Sequence, residues 1–342
     1  MISRVIRRLA RWVPAFILLC GAQAGSQESQ ANIPVPLGLA PIVWPTDNPY
    51  SPEKAELGRI LFFDPRLSAD SRVSCATCHS PANAFADAMP VSIGIGGQRG
   101  QRSAPTIINR AYGQVQFWDG RAPTLEEQAK GPIGNSIEMG DSPQQMVDRL
   151  KLVPGYRAMF SKVFGTEDFT IDQVAKAIAT FERTVLSGNS AFDRYKAGDK
   201  KALTPAQIRG MNLFKKTKCD KCHEGANFTD NKFHNLGAGA GRPDSDTGRY
   251  AVTKDPKDWG AFKTPTLRDI AETAPYMHDG SLKTLREVVD FYDKGGILNK
   301  NLDPDIKPLK LTVDERNDLV EFLRSLSGQG WQNIKAPEKF PQ

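Results

Sequence analysis

Cys-x-x-Cys-His occurs twice in this chain, at Cys75, Cys78 and His79 and again at Cys219, Cys222 and His223. Two cysteines at this spacing can form thioethers with the vinyl groups of one haem, while the adjacent histidine turns its imidazole onto the iron. Structural zinc sites and thiol-exchange motifs also use Cys-x-x-Cys. Zinc knuckles pair across a short stretch, whereas Cys78 and Cys219 stand 141 residues apart, and thiol exchange has no need of a following histidine. Two covalent c-type haems are expected, and the fold must wrap both.

The first residues carry Arg4, Arg7, Arg8 and Arg11, then an apolar run from Val13 to Cys20, then Ala22-Gln23-Ala24. That order is a secretory signal over residues 1–24, with cleavage after Ala24. Its apolar run is shorter than the roughly 20 residues of a membrane span. An exported, periplasmic protein without a span is expected. Leu19 precedes Cys20 where a lipoprotein signal has a small residue, which argues against lipidation. Removing the signal removes Cys20, and the other four of the five cysteines belong to the haem motifs. It also takes four positive charges and no acid from the formal +6, leaving about +2 to set against four haem propionates. Nucleic-acid binding therefore has no electrostatic basis.

A mature chain of about 318 residues suits two domains. Helical signals dominate. Residues 170–186 open with a Thr170/Gln173 capping box and place Ile171, Val174, Ile178, Phe181 and Val185 on one face. Residues 311–326 repeat the design with Thr312 and Glu315, followed by Leu319, Phe322, Leu323 and Leu326. A faint internal repeat sets Gly58-Arg59-Ile60-Leu61-Phe62 before the first haem motif and Gly210-Met211-Asn212-Leu213-Phe214 before the second. The glycine-rich stretch 94–100 lacks the Lys-Ser/Thr of a phosphate loop and reads as a haem-pocket loop.

Only four histidines occur, and two are spent on the haem motifs, leaving His234 and His278. A haem with ligands on both faces carries electrons, whereas one with an empty face can bind peroxide. The sixth ligands therefore decide the function.

Several longer motifs bear on that choice: residues 57–68 (Leu-Gly-Arg-Ile-Leu-Phe-Phe-Asp-Pro-Arg-Leu-Ser), Phe117-Trp118-Asp119-Gly120-Arg121, Gly131-Pro132-Ile133, Glu138-Met139, and Thr273-Ala274-Pro275-Tyr276-Met277-His278-Asp279-Gly280. With them the chain resembles the bacterial di-haem cytochrome c peroxidase superfamily, and within it the MauG-like branch, over nearly the whole mature length. The resemblance implies an all-α fold of two cytochrome c-like haem domains with long loops and the haems facing an interface. Residues 25–195 would hold the peroxidatic haem and 196–342 an electron-relay haem. It further implies a distal pocket of Gln128, Pro132 and Glu138 and a tryptophan, Trp118, between the haems. A calcium ion would lie there too, with Thr273 and Pro275 as carbonyl donors and Ser103 where the family has Asn. By its residue type alone Glu138 is a surface acid, and only the resemblance makes it the acid-base group.

Peroxidases of the group carry a distal histidine in the first domain, yet no histidine lies between His79 and His223. The first haem should therefore be open without reductive activation. The peroxidases also place an axial Met fourteen residues after the His of His-Asp-Gly, where this chain has Tyr292, as MauG-like proteins do. A phenolate is a hard donor that lowers the iron potential. Met277 remains the rival ligand.

Three functions stay in competition. The first is a periplasmic peroxidase that reduces hydrogen peroxide at the open N-terminal haem, with electrons from a small redox protein passing through the C-terminal haem. The second is a MauG-like, peroxide-dependent oxidase that modifies Trp or Tyr of a partner protein by long-range electron transfer. The third is a non-enzymatic di-haem electron carrier. A homodimer is a family expectation.

Overall fold

The computed structural model describes residues 33–342, so the expected signal segment lies outside the described residues. In order, the helices are α1 (Pro52–Phe63), α2 (Cys75–Cys78), α3 (Leu125–Gly134), α4 (Pro143–Lys151), α5 (Pro154–Phe164), α6 (Ile171–Thr184), α7 (Ala191–Lys196), α8 (Pro205–Lys216), α9 (Tyr250–Thr253), α10 (Leu285–Asp293) and α11 (Val313–Arg324). The fold is all-α apart from two-residue strands β1 (Phe233–His234) and β2 (Phe262–Lys263), which pair antiparallel. Short polar side chains set the helix starts. Ser51, Thr124, Thr204, Thr284 and Thr312 each accept a backbone N–H of their first turn. Both expected capping boxes form, with Gln173 accepting from the Thr170 N–H and Glu315 from the Thr312 N–H.

Two large hydrophobic cores result, beside a small cluster of Ile42, Trp44 and Leu186. The first joins α1, α3, α5 and α6 through Leu57, Leu61, Phe62, Ile133, Phe160, Ile178 and Phe181. The second joins α8, α10 and α11 through Leu213, Phe214, Val289, Leu319, Phe322 and Leu323. Each is organised on one close helix crossing. A Cβ on Gly58 would fall 1.9 Å from the Ala177 carbonyl oxygen, and one on Gly210 would fall 1.9 Å from that of Asp318. Only glycine lets α1 reach α6 and α8 reach α11 at that distance. This is the physical content of the faint repeat around Gly58 and Gly210.

The cores share chain. Ala191, Phe192 and Tyr195 of α7 pack on the second core, so a division at 195/196 falls inside that helix. The C-terminal segment returns to the first core with Trp331, Ile334 and Phe340. A buried ion pair anchors α7: Arg268, 1% exposed, holds Asp193 through two bonds of 2.7 and 2.9 Å.

A second repeat, unseen in the sequence, spans residues 103–132 and 263–292 at a constant offset of 160. Thr106 and Thr266 donate from Oγ1 to the carbonyls of Ala84 and Asn227. Asn109 and Asp269, Phe117 and Met277, and Gly120 and Gly280 all have positive φ. Bridges join Gln116 to Ala122 and Tyr276 to Leu282. Thr124 and Thr284 then cap α3 and α10. The backbone is repeated even where the side chains differ, as at Asn109 and Asp269 or Phe117 and Met277.

Candidate active site

The Cys75 and Cys78 thiols lie on the single turn of α2, and those of Cys219 and Cys222 on the equivalent 3₁₀ turn; all four are free. Each following histidine is oriented the same way. His79 Nδ1 lies 3.2 Å from the Phe85 carbonyl, and His223 Nδ1 lies 3.0 Å from that of Phe228. A ring that donates from Nδ1 keeps the Nε2 lone pair for a metal. Burial holds both imidazoles below the usual histidine range, hence neutral.

Both motifs open into one cavity of about 730 Å³. Apolar walls come from Ile107, Leu125, Ala129 and Ile178 in the first half and from Leu285, Val289, Leu319 and Leu323 in the second. Paired free thiols, neutral histidines with a free Nε2 and apolar walls fit two c-type haems.

Gln128 and Pro132, one turn apart on α3, line this cavity together with Glu138. The loop after α3 folds back over the helix end, with Glu138 N–H on the Asn135 carbonyl and Met139 N–H on that of Pro132. The Glu138 carboxylate accepts from Asn135 Nδ2 at 2.9 Å through Oε1. Burial pushes its carboxyl above the ordinary value, against the opposing charge of Arg121. That arginine lies 3.5 Å above the Phe117 ring, is paired with Asp119 and also lines the cavity. Sequence reasoning quoted Arg121 inside a motif and gave it no role. The glycine-rich segment reaches the cavity through Gly94 and Gly100, and its Ile95 N–H holds the Glu138 carbonyl at 2.8 Å.

In the second half Tyr292 lines the cavity from α10, the helix that also presents Leu285, Val288 and Val289. Burial, then the nearby Cys219 and Cys222, push its hydroxyl up. In the repeat at an offset of 160 Tyr292 occupies the place of Pro132. Met277 also lines the cavity, from a left-handed turn at φ 71°.

Trp118 and His278 meet where the halves join. Ser103 N–H donates to the His278 carbonyl at 2.7 Å, and Lys263 N–H donates to the Trp118 carbonyl at 2.8 Å. These contacts are counterparts under the same repeat. Trp118 Nε1 donates to the Ser103 carbonyl at 2.8 Å, and the His278 ring stacks on Phe262 at 3.6 Å. Ser103, Thr273 and Pro275 line the same cavity. Among the described residues, one cluster of His, Cys and acidic side chains could share a metal ion: Cys222, Asp230 and His234. A thioether at Cys222 takes that sulfur out of such a site. His234 is instead clamped between Asp303 at 2.6 Å and Asp230 at 3.0 Å, a structural role beside the second motif.

Sequence reasoning also missed Glu182, Arg110 and Lys263, all of which line the cavity. Glu182 is 4% exposed, and its Oε2 has no hydrogen-bond partner. A signal existed: Glu182 follows Ile178 by four residues and therefore shares its helix face.

Comparison with known proteins gives a consistent result. The family profile for di-haem cytochrome c peroxidase matches residues 52–201, and that for cytochrome c matches residues 207–327. The chain is 44% identical over 287 residues to the methylamine utilization protein MauG of Methylorubrum extorquens, covering 83% of this chain and 81% of that one. It is 38% identical over 318 residues to the cytochrome c551 peroxidase of Pseudomonas aeruginosa, covering 90% and 88%. The crystal structure of a MauG-like protein associated with microbial copper homeostasis aligns with a TM-score of 0.81 at 35% identity, over 89% of this chain and 97% of that one.

Proposed function

The chain belongs to the di-haem cytochrome c peroxidase family of peroxide-dependent oxidoreductases with two c-type haems, and we propose that it reduces hydrogen peroxide at the haem of His79. His223 would hold the haem that receives electrons from a small redox protein, with the periplasm as the place of work. The observation that carries this reading is the inequality of two matching positions: α3 presents Pro132 to the cavity where α10 presents Tyr292. Proline has no side-chain donor and leaves the His79 side open, whereas a phenol oxygen can cap the His223 side.

When bound, each haem supplies an iron that exchanges electrons and, where a face is open, accepts a small ligand. The chain's own residues manage the protons. Glu138, free at Oε2, takes the proton of the inner peroxide oxygen and returns it to the outer one, the leaving oxygen. The Gln128 amide orients the peroxide, and Pro132 shapes the space around it. Two electrons and two protons then convert one peroxide to two waters. The Trp118 indole, between the halves, divides the electron path into two shorter steps. A calcium ion on the carbonyls of Thr273 and Pro275, beside Ser103, belongs to the same reading, as does a homodimer.

The test is rapid mixing of the oxidised protein with peroxide, with and without a reduced small cytochrome. Peroxide-dependent oxidation of the cytochrome through many turnovers is the expected result. Prompt reaction with peroxide but no turnover of the cytochrome would point to oxidation of a protein substrate. No reaction in either redox state would leave an electron carrier.

A further inference from the structure

Lys263 is 5% exposed and lines the haem cavity at the junction of the halves. Its ammonium has one hydrogen bond, at 3.3 Å, to the carbonyl of the next residue, Thr264. Arg110 lines the same cavity and spends Nε and Nη2 on the uncharged Gln116 Oε1 and Val115 carbonyl. Neither has an ion pair with a carboxylate among the described residues. Burial, and then the charge of Arg110, push the Lys263 ammonium well down. An isolated buried charge costs several kcal/mol unless an opposite charge meets it. Glu182 and Asp230 act on Arg110 and Lys263 only at a distance, and no carboxylate bonds to either cation, so the two describe a site for an anion from outside the chain.

We propose that Lys263 and Arg110 bind carboxylate side chains of the haems where these meet at the junction between the halves. A c-type haem consumes its vinyl groups in the thioethers and keeps both propionates, so the cavity's intended occupants bring the missing anions. The inference rests on the two bound haems, and on nothing in the peroxidase reading beyond them. The site joins the halves, because Lys263 comes from β2 while Arg110 follows the first-half turn at Asn109. Its position is specific. The Lys263 N–H holds the Trp118 carbonyl, so the same residue would fix the propionates and the backbone of the inter-haem tryptophan. The counterpart of Lys263 in the repeat is Ser103, and that of Arg110 is Ile270, so neither cation is a by-product of the repeated scaffold.

The test is spectroelectrochemical titration of wild type, Lys263→Gln and Lys263→Arg, each first shown to carry two haems per chain by its haemochrome spectrum. A cation beside a propionate favours the more electron-rich, reduced haem. K263Q should therefore shift at least one haem to lower potential, while K263R restores it. The resonance Raman propionate bending band should move in K263Q and return in K263R. Unchanged potentials and an unchanged band in K263Q with both haems present would overturn the proposal. Wild-type potentials that respond to added phosphate, with the response lost in K263Q, would assign the site to a free anion and overturn it equally.

Discussion

The two halves of this molecule are one scaffold used for two purposes. Both cross a pair of helices at a glycine, both fix a histidine Nδ1 on a phenylalanine carbonyl, and both run the same left-handed turns into a threonine-capped helix. They differ at a handful of side chains that line the cavity, Pro132 against Tyr292, Trp118 against His278, Ser103 against Lys263 and Glu182 of α6 where α11 has Leu323, and at the buried pair Ile108 against Arg268 outside it. The shared backbone fits a haem in each half, and the proposed function rests on the side chains that differ.

Exchanging the first pair breaks the comparison most directly. Pro132→Tyr should close the first haem and abolish its reaction with peroxide. Tyr292→Phe should open the second haem, seen as new high-spin absorption. A peroxide reaction that survives in P132Y would mean that α3 does not face the reactive site. Next in size, Glu138→Gln should slow the peroxide reaction by about 10²–10⁴-fold, the usual contribution of a general acid-base group. Single-turnover mixing would measure it, and a rate within a few-fold of wild type would deny Glu138 the acid-base role.

The third contrast concerns stability. Arg268 and Asp193 are both buried, and Arg268→Met would leave an uncompensated carboxylate at a cost of about 3–5 kcal/mol. The first-half counterpart, Ile108→Val, should cost only about 0.5–1.5 kcal/mol. Denaturant midpoints compare the two, and equal losses would deny the ion pair its anchoring role. The last contrast concerns pH and Glu182, whose carboxyl burial pushes up to about 8. The unfolded chain releases that proton near the ordinary carboxylate value, about 4.3, while the folded chain keeps it until about pH 8. Stability therefore falls as pH rises through this window. Glu182→Gln removes the penalty, so its gain over wild type should be smallest below the window and largest above it. A gain independent of pH would show that Glu182 does not titrate there.

Much of this was legible in one dimension. The haem motifs, the capping boxes at Thr170 and Thr312 and the apolar stripes are local patterns, and local patterns survive in a sequence. Gly58 and Gly210 were visible as letters, but their meaning, a Cβ that would strike a neighbouring carbonyl, needed the partner helix. The repeat at an offset of 160 is faint in the sequence because it keeps φ angles and caps where residues change: Asn109 pairs with Asp269, and Phe117 with Met277. Lys263 and Arg110 carried no signal at all. A lysine in a loop sequence reads as solvated, and only the fold turns it toward a cavity. Glu182 did carry a signal, its spacing of four residues from Ile178, although an acid within an apolar helix ordinarily belongs to the solvent side.

The central claim is that one haem is open and the other capped. Cyanide titration of the oxidised, unreduced protein tests it, with the stoichiometry read from the optical spectrum against two haems per chain. The account predicts one cyanide per chain; two or none would contradict it.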